Sequence, residues 1–185
     1  LLCAIGFAFS SLPDFKELRT RESLGKVVRV RAQDGRVILS LGPIYGEWIN
    51  YQNIPGVMVD AMVAVEDRRF RLHPGVDPIG LVRAVQVRLQ RGHWAQGGST
   101  ITQQLARNLF LTNTRTFGRK GREMILAFAM EAKYSKDEIL ELYLNRVYFG
   151  GGAYGIDAAA RNFFGKPVEN LNLGQSAMLA AIINS

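Results

Sequence analysis

The chain has 185 residues, of which 48% are hydrophobic, which is enough for one domain with a buried core and too apolar for a disordered polymer. Lys and Arg number 23 against 16 Asp and Glu, a formal net charge of +7. This charge favours phosphate-bearing partners (nucleic acid, anionic lipid or a phosphorylated substrate) without choosing among them. The single cysteine, Cys3, excludes an internal disulfide and a cysteine-rich metal site.

The N-terminal residues 1–9 form an uncharged apolar run. A membrane-spanning helix needs about 20 such residues, so this run is too short to cross a bilayer. The sequence Ser10-Ser11-Leu12-Pro13 breaks the run at once, as an exit at the membrane interface would. We interpret residues 1–12 as the end of a truncated transmembrane helix, with a buried first helix as the alternative.

Residues 13–53 are predicted to connect this segment to the main domain. Residues 19–25 are polar and are typical of a linker. Residues 27–30 and 37–41 are rich in β-branched side chains and flank Gln33-Asp34-Gly35. Because Asp-Gly between two such runs favours a tight turn, we expect a β-hairpin here.

From residue 54 onward the pattern is helical almost throughout, so residues 54–185 are predicted to form one domain. A first helix opens at Ile54-Pro55 and carries Glu66. Asp77 is the predicted N-cap of a second helix, and Pro78 occupies its first position. A third helix is expected from residue 99 or 100 to about 111, and a fourth from about 117 to 134. A fifth begins with the capping box Ser135–Glu138. A sixth is expected from 156 to 163, behind a flexible glycine joint at 150–152, and a last one after the N-cap Asn172.

Glu66 ends an apolar run and shares a helical face with Val59, Met62 and Val63, the face that should meet the core. A carboxylate in such a place is costly to ionise, and acid–base catalysis uses carboxylates whose pKa is raised in this way. Asp67 would raise the pKa of Glu66 further, whereas three arginines close by would lower it. A helix end with a solvated charge cluster is an equally good interpretation of this segment alone.

Two glycines precede Ser99 and Thr100, which can cap the following helix and leave amides that favour an anion. Gln104 and Arg107 lie three residues apart and therefore on one face of that helix. Neutral donors beside one cation suit a sugar diphosphate. The alternative is an ordinary capped amphipathic helix.

A second carboxylate, Glu123, follows a cluster of cations that includes Arg119 and Lys120. Glu123 shares a face with Ala127, Met130 and Tyr134, which is again the apolar side of a predicted helix. Taken alone, an acidic residue in a solvated first turn, where the helix dipole favours it, is the better explanation of the pattern.

Four motifs follow one another in order between about residue 54 and residue 181. They are Glu66-Asp67-x-x-Phe70-x-x-His73-x-Gly75, Gly97-Gly98-Ser99-Thr100-x-Thr102-Gln103-Gln104-Leu105, Arg119-Lys120-x-x-Glu123, and Tyr134-Ser135-Lys136-x-x-Ile139-Leu140-Glu141-x-Tyr143-Leu144-Asn145. This order resembles the peptidoglycan glycosyltransferase family, the transglycosylase domain of class A penicillin-binding proteins. The resemblance implies a mainly α, lysozyme-like fold of two lobes with a small N-terminal β-hairpin element.

The resemblance also implies an activity. Members polymerise lipid II into β-1,4-linked glycan strands by inverting transfer, with release of polyprenyl diphosphate. By resemblance Glu66 is the general base, and Glu123 organises the donor diphosphate directly or through a divalent metal. No tightly bound cofactor is implied, and Mg²⁺ or Mn²⁺ travelling with the donor diphosphate stays open.

Further positions match the family's substrate-binding residues. Asp67, Phe70 and His73 would shape the acceptor side of the cleft. Arg107 stands where many members carry Lys, which keeps the charge and changes the geometry. The remaining matches are Ser99, Thr100, Gln104 and Asn108 along the cleft, Arg119 and Lys120 on phosphates, and Tyr143 and Asn145 as cleft residues whose alternative is packing between helices.

The implied partners are lipid II, the growing glycan strand, the membrane surface and other cell-wall synthesis proteins, with no nucleic acid. The implied place is the extracytoplasmic side of a bacterial cytoplasmic (inner) membrane, with a single membrane pass. The apolar residues 109–111 lie close to Arg115 and Arg119. They could form an amphipathic surface in the bilayer interface, with core packing as the alternative.

Two rival functions are weighed against this one. A lysozyme-like peptidoglycan hydrolase or lytic transglycosylase needs an acid for its sugar leaving group and has no use for a diphosphate-binding cluster. A basic membrane-surface or nucleic-acid binding module would not require two carboxylates on apolar faces. Its basic residues would also alternate with aromatic ones, which they do not do here.

Overall fold

A computed structural model of the protein describes residues 2–20, 28–34, 37–41, 44–91, 98–111 and 117–183. Within these ranges the chain is mainly α-helical, with two small β-sheets of two strands each. This confirms the predicted fold class. The helices are α1 Leu2–Ser11, α2 Phe15–Thr20, α3 Gly56–Glu66, α4 Pro78–Arg91, α5 Ile101–Phe110, α6 Phe117–Lys133, α7 Lys136–Arg146, α8 Ile156–Phe164 and α9 Leu173–Ile183, with short 3₁₀ turns at Tyr51–Asn53, Phe70–Leu72 and Val168–Asn170.

The predicted starts of α4, α5, α7 and α9 are confirmed by their caps. At the start of α4, Asp77 Oδ1 accepts a hydrogen bond from the backbone amide of Gly80 at 3.0 Å. At the start of α9, Asn172 Oδ1 accepts one from the backbone amide of Gln175 at 3.0 Å. Complete capping boxes begin α5 at Thr100 and α7 at Ser135. A cap satisfies amides that would otherwise lack partners, which is why it marks the helix start in the sequence.

The predicted hairpin is also confirmed. Strands β1 (Val28–Arg31) and β2 (Val37–Leu41) pair antiparallel, with a register shift between Val30 and Arg31. Gly35 of the predicted turn lies outside the described residues. Of the predicted linker 19–25, the first two residues belong to α2 and the others lie outside the described ranges.

A second sheet was not predicted from the sequence. Strand β3 (Ile44–Tyr45) pairs in parallel with β4 (Ala153–Tyr154), across more than a hundred residues of chain. A two-residue strand carries no measurable alternation, so its pairing has no local signal. The glycine joint before it forms a turn in which Gly150, Gly151 and Gly152 have φ values of 84°, 57° and 81°.

The core is built around α7, in which every residue from position 139 to 145 is buried. Helix α5 packs against α6 and α7, and α3 packs against α9. Truncating a buried side chain of such a core to alanine costs about 2–5 kcal/mol. Helices α3 and α5 are therefore both anchored by packing against other helices.

The first helix, α1, lies against α6 and buries Ala8, and Leu12, which follows the helix, is also buried. Lys133 Nζ donates a hydrogen bond to the carbonyl of Leu12 at 2.6 Å, and the Tyr134 hydroxyl donates to the carbonyl of Pro13. Among the helices within the described ranges, none combines the length and apolar character needed to cross a membrane. The interpretation of residues 1–12 as part of a transmembrane helix stays a prediction, as does the division into segments 1–12, 13–53 and 54–185.

Candidate active site

Glu66 is the last residue of α3, and its side chain follows the buried Val59 and Met62 along one face of that helix. Its Oε2 atom accepts a hydrogen bond from Gln104 Nε2 at 2.7 Å. Its Oε1 atom is shielded from solvent and accepts no hydrogen bond from any residue that the structure describes. The sequence prediction of a carboxylate on the core-facing side of its helix is thus confirmed.

The pKa of Glu66 is raised above its ordinary value, and burial is the main cause. The hydrogen bond from Gln104 lowers this pKa, the neighbouring charge of Asp67 raises it, and Arg107 on α5 lowers it. Burial disfavours the charged form, whereas an N–H donor and a cation favour it. Glu66 is therefore a carboxylate with increased proton affinity at the end of α3.

Asp67 is buried and connects the end of α3 to the start of α5. Both of its carboxylate oxygens lie 3.0 Å from His73 Nε2, and Oδ2 also accepts the amide of Ile101 at 3.1 Å. The amide of Gly75 donates to His73 Nδ1 at 3.2 Å. Because Nδ1 accepts, we assign the imidazole proton to Nε2, which donates it to Asp67.

Phe70 is wholly buried, so its ring does not lie on an open surface. Lys136 Nζ lies 4.3 Å from the centre of this ring and donates to the carbonyl of His73 at 2.7 Å. Lys136 also forms an ion pair with Glu131 at 2.7 Å. Sequence reasoning assigned no role to Lys136 or Glu131, because their partners lie on other elements and leave no local pattern.

Thr100 supports the site as the N-cap of α5. Its hydroxyl accepts the amide of Gln103 at 3.1 Å and donates to the carbonyl of Gly75 at 2.6 Å. The amide of Thr100 itself donates to Gln103 Oε1 at 3.2 Å, and that of Ile101 donates to Asp67. These amides, which the sequence suggested as anion donors, already have partners within the protein.

Gln104 joins α3, α5 and α7. Its Nε2 atom donates to Glu66, and its Oε1 atom accepts the hydroxyl of Tyr143 at 3.0 Å. Tyr143 is fully buried on α7. The sequence resemblance matched Gln104 and Tyr143 to substrate contacts. In the structure, the amide of Gln104 and the hydroxyl of Tyr143 bond to each other, and Gln104 bonds Glu66.

Glu123, the second carboxylate, is fully buried on α6, and its face of the helix also buries Ala127 and Met130 as predicted. Arg119 Nη1 donates to Glu123 Oε2 at 2.9 Å, and Lys120 Nζ donates to Oε1 at 2.8 Å. The structure therefore places Glu123 and the two predicted phosphate-binding cations in one cluster.

Lys120 links this cluster to α5. Its Nζ atom also donates to Ser99 Oγ at 2.8 Å and to Gln103 Oε1 at 3.2 Å. Gln104, the residue after Gln103, donates to Glu66. Helix α5 therefore contacts both carboxylates: Gln104 bonds Glu66 directly, and Gln103 bonds Lys120, which in turn donates to Glu123.

The residues around Glu123 do not fit a resident divalent ion. Both carboxylate oxygens already accept hydrogen bonds from cationic groups. Within the ranges that the structure describes, no group of three or more His, Cys, Asp or Glu side chains could hold a metal. A divalent ion prefers several oxygen ligands in one shell, so we derive no step through a metal here.

The remaining predicted site residues lie on α5 and α7. Arg107 is partly buried, one turn after Gln104, and Asn108 is exposed. Asn145 is buried and bonded to backbone: its Oδ1 atom accepts the amide of Ile49, and its Nδ2 atom donates to the carbonyls of Ile49 and Glu141, all at 2.8 Å. Asn145 therefore fixes the segment before α3 onto α7, which is the packing alternative considered from the sequence.

Of the apolar residues 109–111, the first two end α5 and Leu111 is its C-cap. Leu109 and Phe110 are partly buried and pack against the core, which favours core packing over an exposed membrane surface for these two side chains. Arg115, the cation expected beside them, lies outside the described residues.

The sequence profile of the transglycosylase family matches residues 34–185, which include all four motifs and both carboxylates. The chain belongs to the transglycosylase family. Helices α3, α5, α6 and α7, which carry the candidate site, all lie within the matched residues. Family membership and the site geometry therefore refer to the same part of the molecule.

Curated members of the transglycosylase family are closely similar to this chain. Penicillin-binding protein 1A of Pseudomonas aeruginosa is 42% identical over 190 aligned residues, covering 98% of the chain and 23% of the relative. Penicillin-binding protein 1A of Escherichia coli (strain K12) is 46% identical over 171 residues, covering 92% and 20%. Penicillin-binding protein 1F of Bacillus subtilis (strain 168) is 47% identical over 150 residues, covering 81% and 21%. The chain spans only 20% to 23% of the length of these relatives.

Proposed function

We propose that this chain is a peptidoglycan glycosyltransferase. It would join lipid II units into a β-1,4-linked glycan strand, with inversion at the anomeric carbon of the donor and release of polyprenyl diphosphate. In this reaction a sugar hydroxyl attacks the anomeric carbon and the lipid diphosphate leaves. The hydroxyl must lose a proton, and the leaving group must be stabilised as an anion.

The observation that carries the proposal is the environment of Glu66. One carboxylate oxygen is held by Gln104 at 2.7 Å, and the other has no hydrogen-bond partner among the described residues. Burial raises the pKa of this carboxyl. A fixed carboxylate with a free lone pair and increased proton affinity is suited to accept the proton of a sugar hydroxyl.

The cations near Glu123 supply the second requirement. Arg119 and Lys120 are both held by Glu123, and the Lys120 side chain remains 39% exposed. A diphosphate is already a stable anion, so it needs positive charge and no strong general acid. A hydrolase, whose leaving group is a sugar oxygen, has no use for such a diphosphate-binding cluster.

We propose the extracytoplasmic face of a bacterial cytoplasmic membrane as the place of this reaction, because the lipid-linked substrate is confined to a membrane surface. The growing glycan strand and other cell-wall synthesis proteins are the proposed partners. A divalent ion, where one takes part, would arrive with the donor diphosphate, since Glu123 is already occupied by two cations.

The test is Glu66→Gln in a gel assay of glycan strands made from lipid II. We expect the rate of polymerisation to fall by about 100-fold or more, since general base catalysis contributes about that factor. Asp60→Asn is the matched control, because Asp60 is an exposed carboxylate on the same helix. We expect it to polymerise at the wild-type rate.

A folding control separates chemistry from stability. Since the pKa of Glu66 is raised in the folded state, its ionised form costs folding free energy at neutral pH, and the cost disappears as the pH falls below the ordinary range of a glutamate. Glu66→Gln should therefore unfold at the wild-type temperature or above it at neutral pH. Wild-type polymerisation by a folded Glu66→Gln variant would refute the proposed role of Glu66.

A further inference from the structure

Tyr143 has no contact with an open surface, although its sequence match suggests a substrate contact. Its side chain is fully buried on α7, and its hydroxyl donates to Gln104 Oε1 at 3.0 Å. Gln104 in turn donates from Nε2 to Glu66 Oε2 at 2.7 Å. The three side chains form one hydrogen-bond chain across α7, α5 and α3.

A glutamine side chain can face a carboxyl group in two ways. Its N–H can donate to the ionised carboxylate, or, after a flip of the amide, its oxygen can accept from the protonated acid. The first arrangement favours the base form of Glu66, and the second favours the acid form. Whatever fixes the amide therefore decides which form of Glu66 is stabilised.

We propose that Tyr143 is a positioning residue for the base: its hydroxyl holds Gln104 Oε1, so that only the N–H side of the amide faces Glu66. This inference rests on the proposed role of Glu66 as general base. Without the hydroxyl, Gln104 loses one of its two anchors, and the flipped amide can accept a hydrogen bond from protonated Glu66.

The phenol is well suited to this task because it stays a donor. Burial, with the charge of Glu66 as the second cause, raises the pKa of Tyr143 far above its ordinary value. Its hydroxyl therefore keeps its proton at every pH at which a glutamate titrates. Asp67 and Arg107 also act on Glu66 electrostatically, and neither depends on the Tyr143 hydroxyl. Helix α9, which packs on α3, brings no charged side chain along its length.

The test compares Tyr143→Phe with Tyr134→Phe in the full chain. Tyr134 is the matched control, because its buried hydroxyl donates to the carbonyl of Pro13 and not to a residue of the hydrogen-bond chain. The first readout is the pKa of Glu66, followed by NMR of carboxyl-labelled glutamate and assigned with Glu66→Gln. Since the Gln104 hydrogen bond lowers this pKa, Tyr143→Phe should raise it by about one pH unit, and Tyr134→Phe should leave it unchanged.

The second readout is the pH dependence of kcat/KM for polymerisation. Because the base must be ionised, a higher pKa of Glu66 moves the acid limb of the profile to higher pH. In a Gln104→Ala background, Tyr143→Phe should cause no further movement of that limb, since the link to Glu66 is already gone. A merely structural role of Tyr143 would lower stability equally in both backgrounds and leave the limb in place.

The two readouts distinguish the possible failures. An unchanged pKa of Glu66 in folded Tyr143→Phe overturns the positioning role, whatever the activity. If the pKa moves as expected and the wild-type chain makes no glycan from lipid II, the positioning role stands and the proposed function fails.

Discussion

Glu123 is fully buried, and its charge is balanced within one turn of its own helix by Arg119 and Lys120. Glu66, in contrast, has one amide donor and one oxygen without a partner among the described residues. The two carboxylates thus have different surroundings, which is the usual basis for two different roles in one site. Glu66 is suited to accept a proton, and Glu123 is suited to hold cations.

The variant Glu123→Gln tests the second of these roles. We expect the rate of polymerisation to fall about tenfold or more, because a neutral amide cannot hold both cations in place. The free energy of unfolding should fall by about 1–3 kcal/mol, less than for a fully buried ion pair, because Lys120 can turn toward solvent. Lipid II assays and urea unfolding measure the two effects.

Asp137→Asn is the control for that experiment. It removes an exposed ion pair, with Arg71 at 3.0 Å, whose side chains are about half exposed. Such pairs contribute about 0–1 kcal/mol, so stability and activity should change little. Unchanged polymerisation by Glu123→Gln would mean that Glu123 serves only the packing of α6.

At the scale of elements, α5 organises the site. Thr100 and Asp67 fix its first turn by accepting hydrogen bonds from its amides. Gln103 contacts Lys120 of the Glu123 cluster, and Gln104 contacts Glu66. Its buried face packs on α6 and α7. A displacement of α5 would move the partners of both carboxylates together. We therefore expect the cap that fixes its start to affect activity as well as stability.

The capping boxes of α5 and α7 allow a matched comparison. Thr100→Ala removes a buried cap that also donates to the carbonyl of Gly75, whereas Ser135→Ala removes an exposed cap. We expect thermal or urea unfolding to show a loss of about 2 kcal/mol for Thr100→Ala and about 1 kcal/mol for Ser135→Ala. Polymerisation should decrease in the first variant alone. Equal losses of stability and activity in both variants would contradict the role of α5 as the common support.

At the scale of the whole molecule, the net charge of +7 means that a lipid-linked substrate with a diphosphate would meet a basic protein. Basic residues gain about 1 kcal/mol each near an anionic membrane surface, and salt screens this attraction. The proposed location on a membrane therefore has a consequence that can be measured without substrate.

We expect the chain to sediment with vesicles that contain anionic lipid, and to bind them about tenfold less well when salt is raised from about 50 mM to about 500 mM. Neutral phosphatidylcholine vesicles serve as the control and should bind less chain at low salt. Equal binding to both kinds of vesicle at every salt concentration would show that charge does not direct the chain to membranes.

Local patterns predicted much of the molecule. The helices from α3 onward, the caps at Asp77, Thr100, Ser135 and Asn172, and the β-hairpin follow from periodicity and from side chains that bond to nearby backbone. The short helix α2 was not predicted, because it lies in a segment interpreted as a connector. The pairing of β3 with β4 could not be predicted in this way, because two-residue strands from distant parts of the chain leave no pattern.

The sequence by itself determined that Glu66 and Glu123 lie on the apolar faces of two helices, because the helical repeat assigns each residue to a face. Only the tertiary structure decided what their oxygens contact. Gln104 lies 38 residues beyond Glu66, and Tyr143 lies 39 residues beyond Gln104. No repeat of 3.6 residues connects such distant positions, so the hydrogen bonds that link Glu66 to Gln104 and Tyr143 exist only once α3, α5 and α7 have packed together.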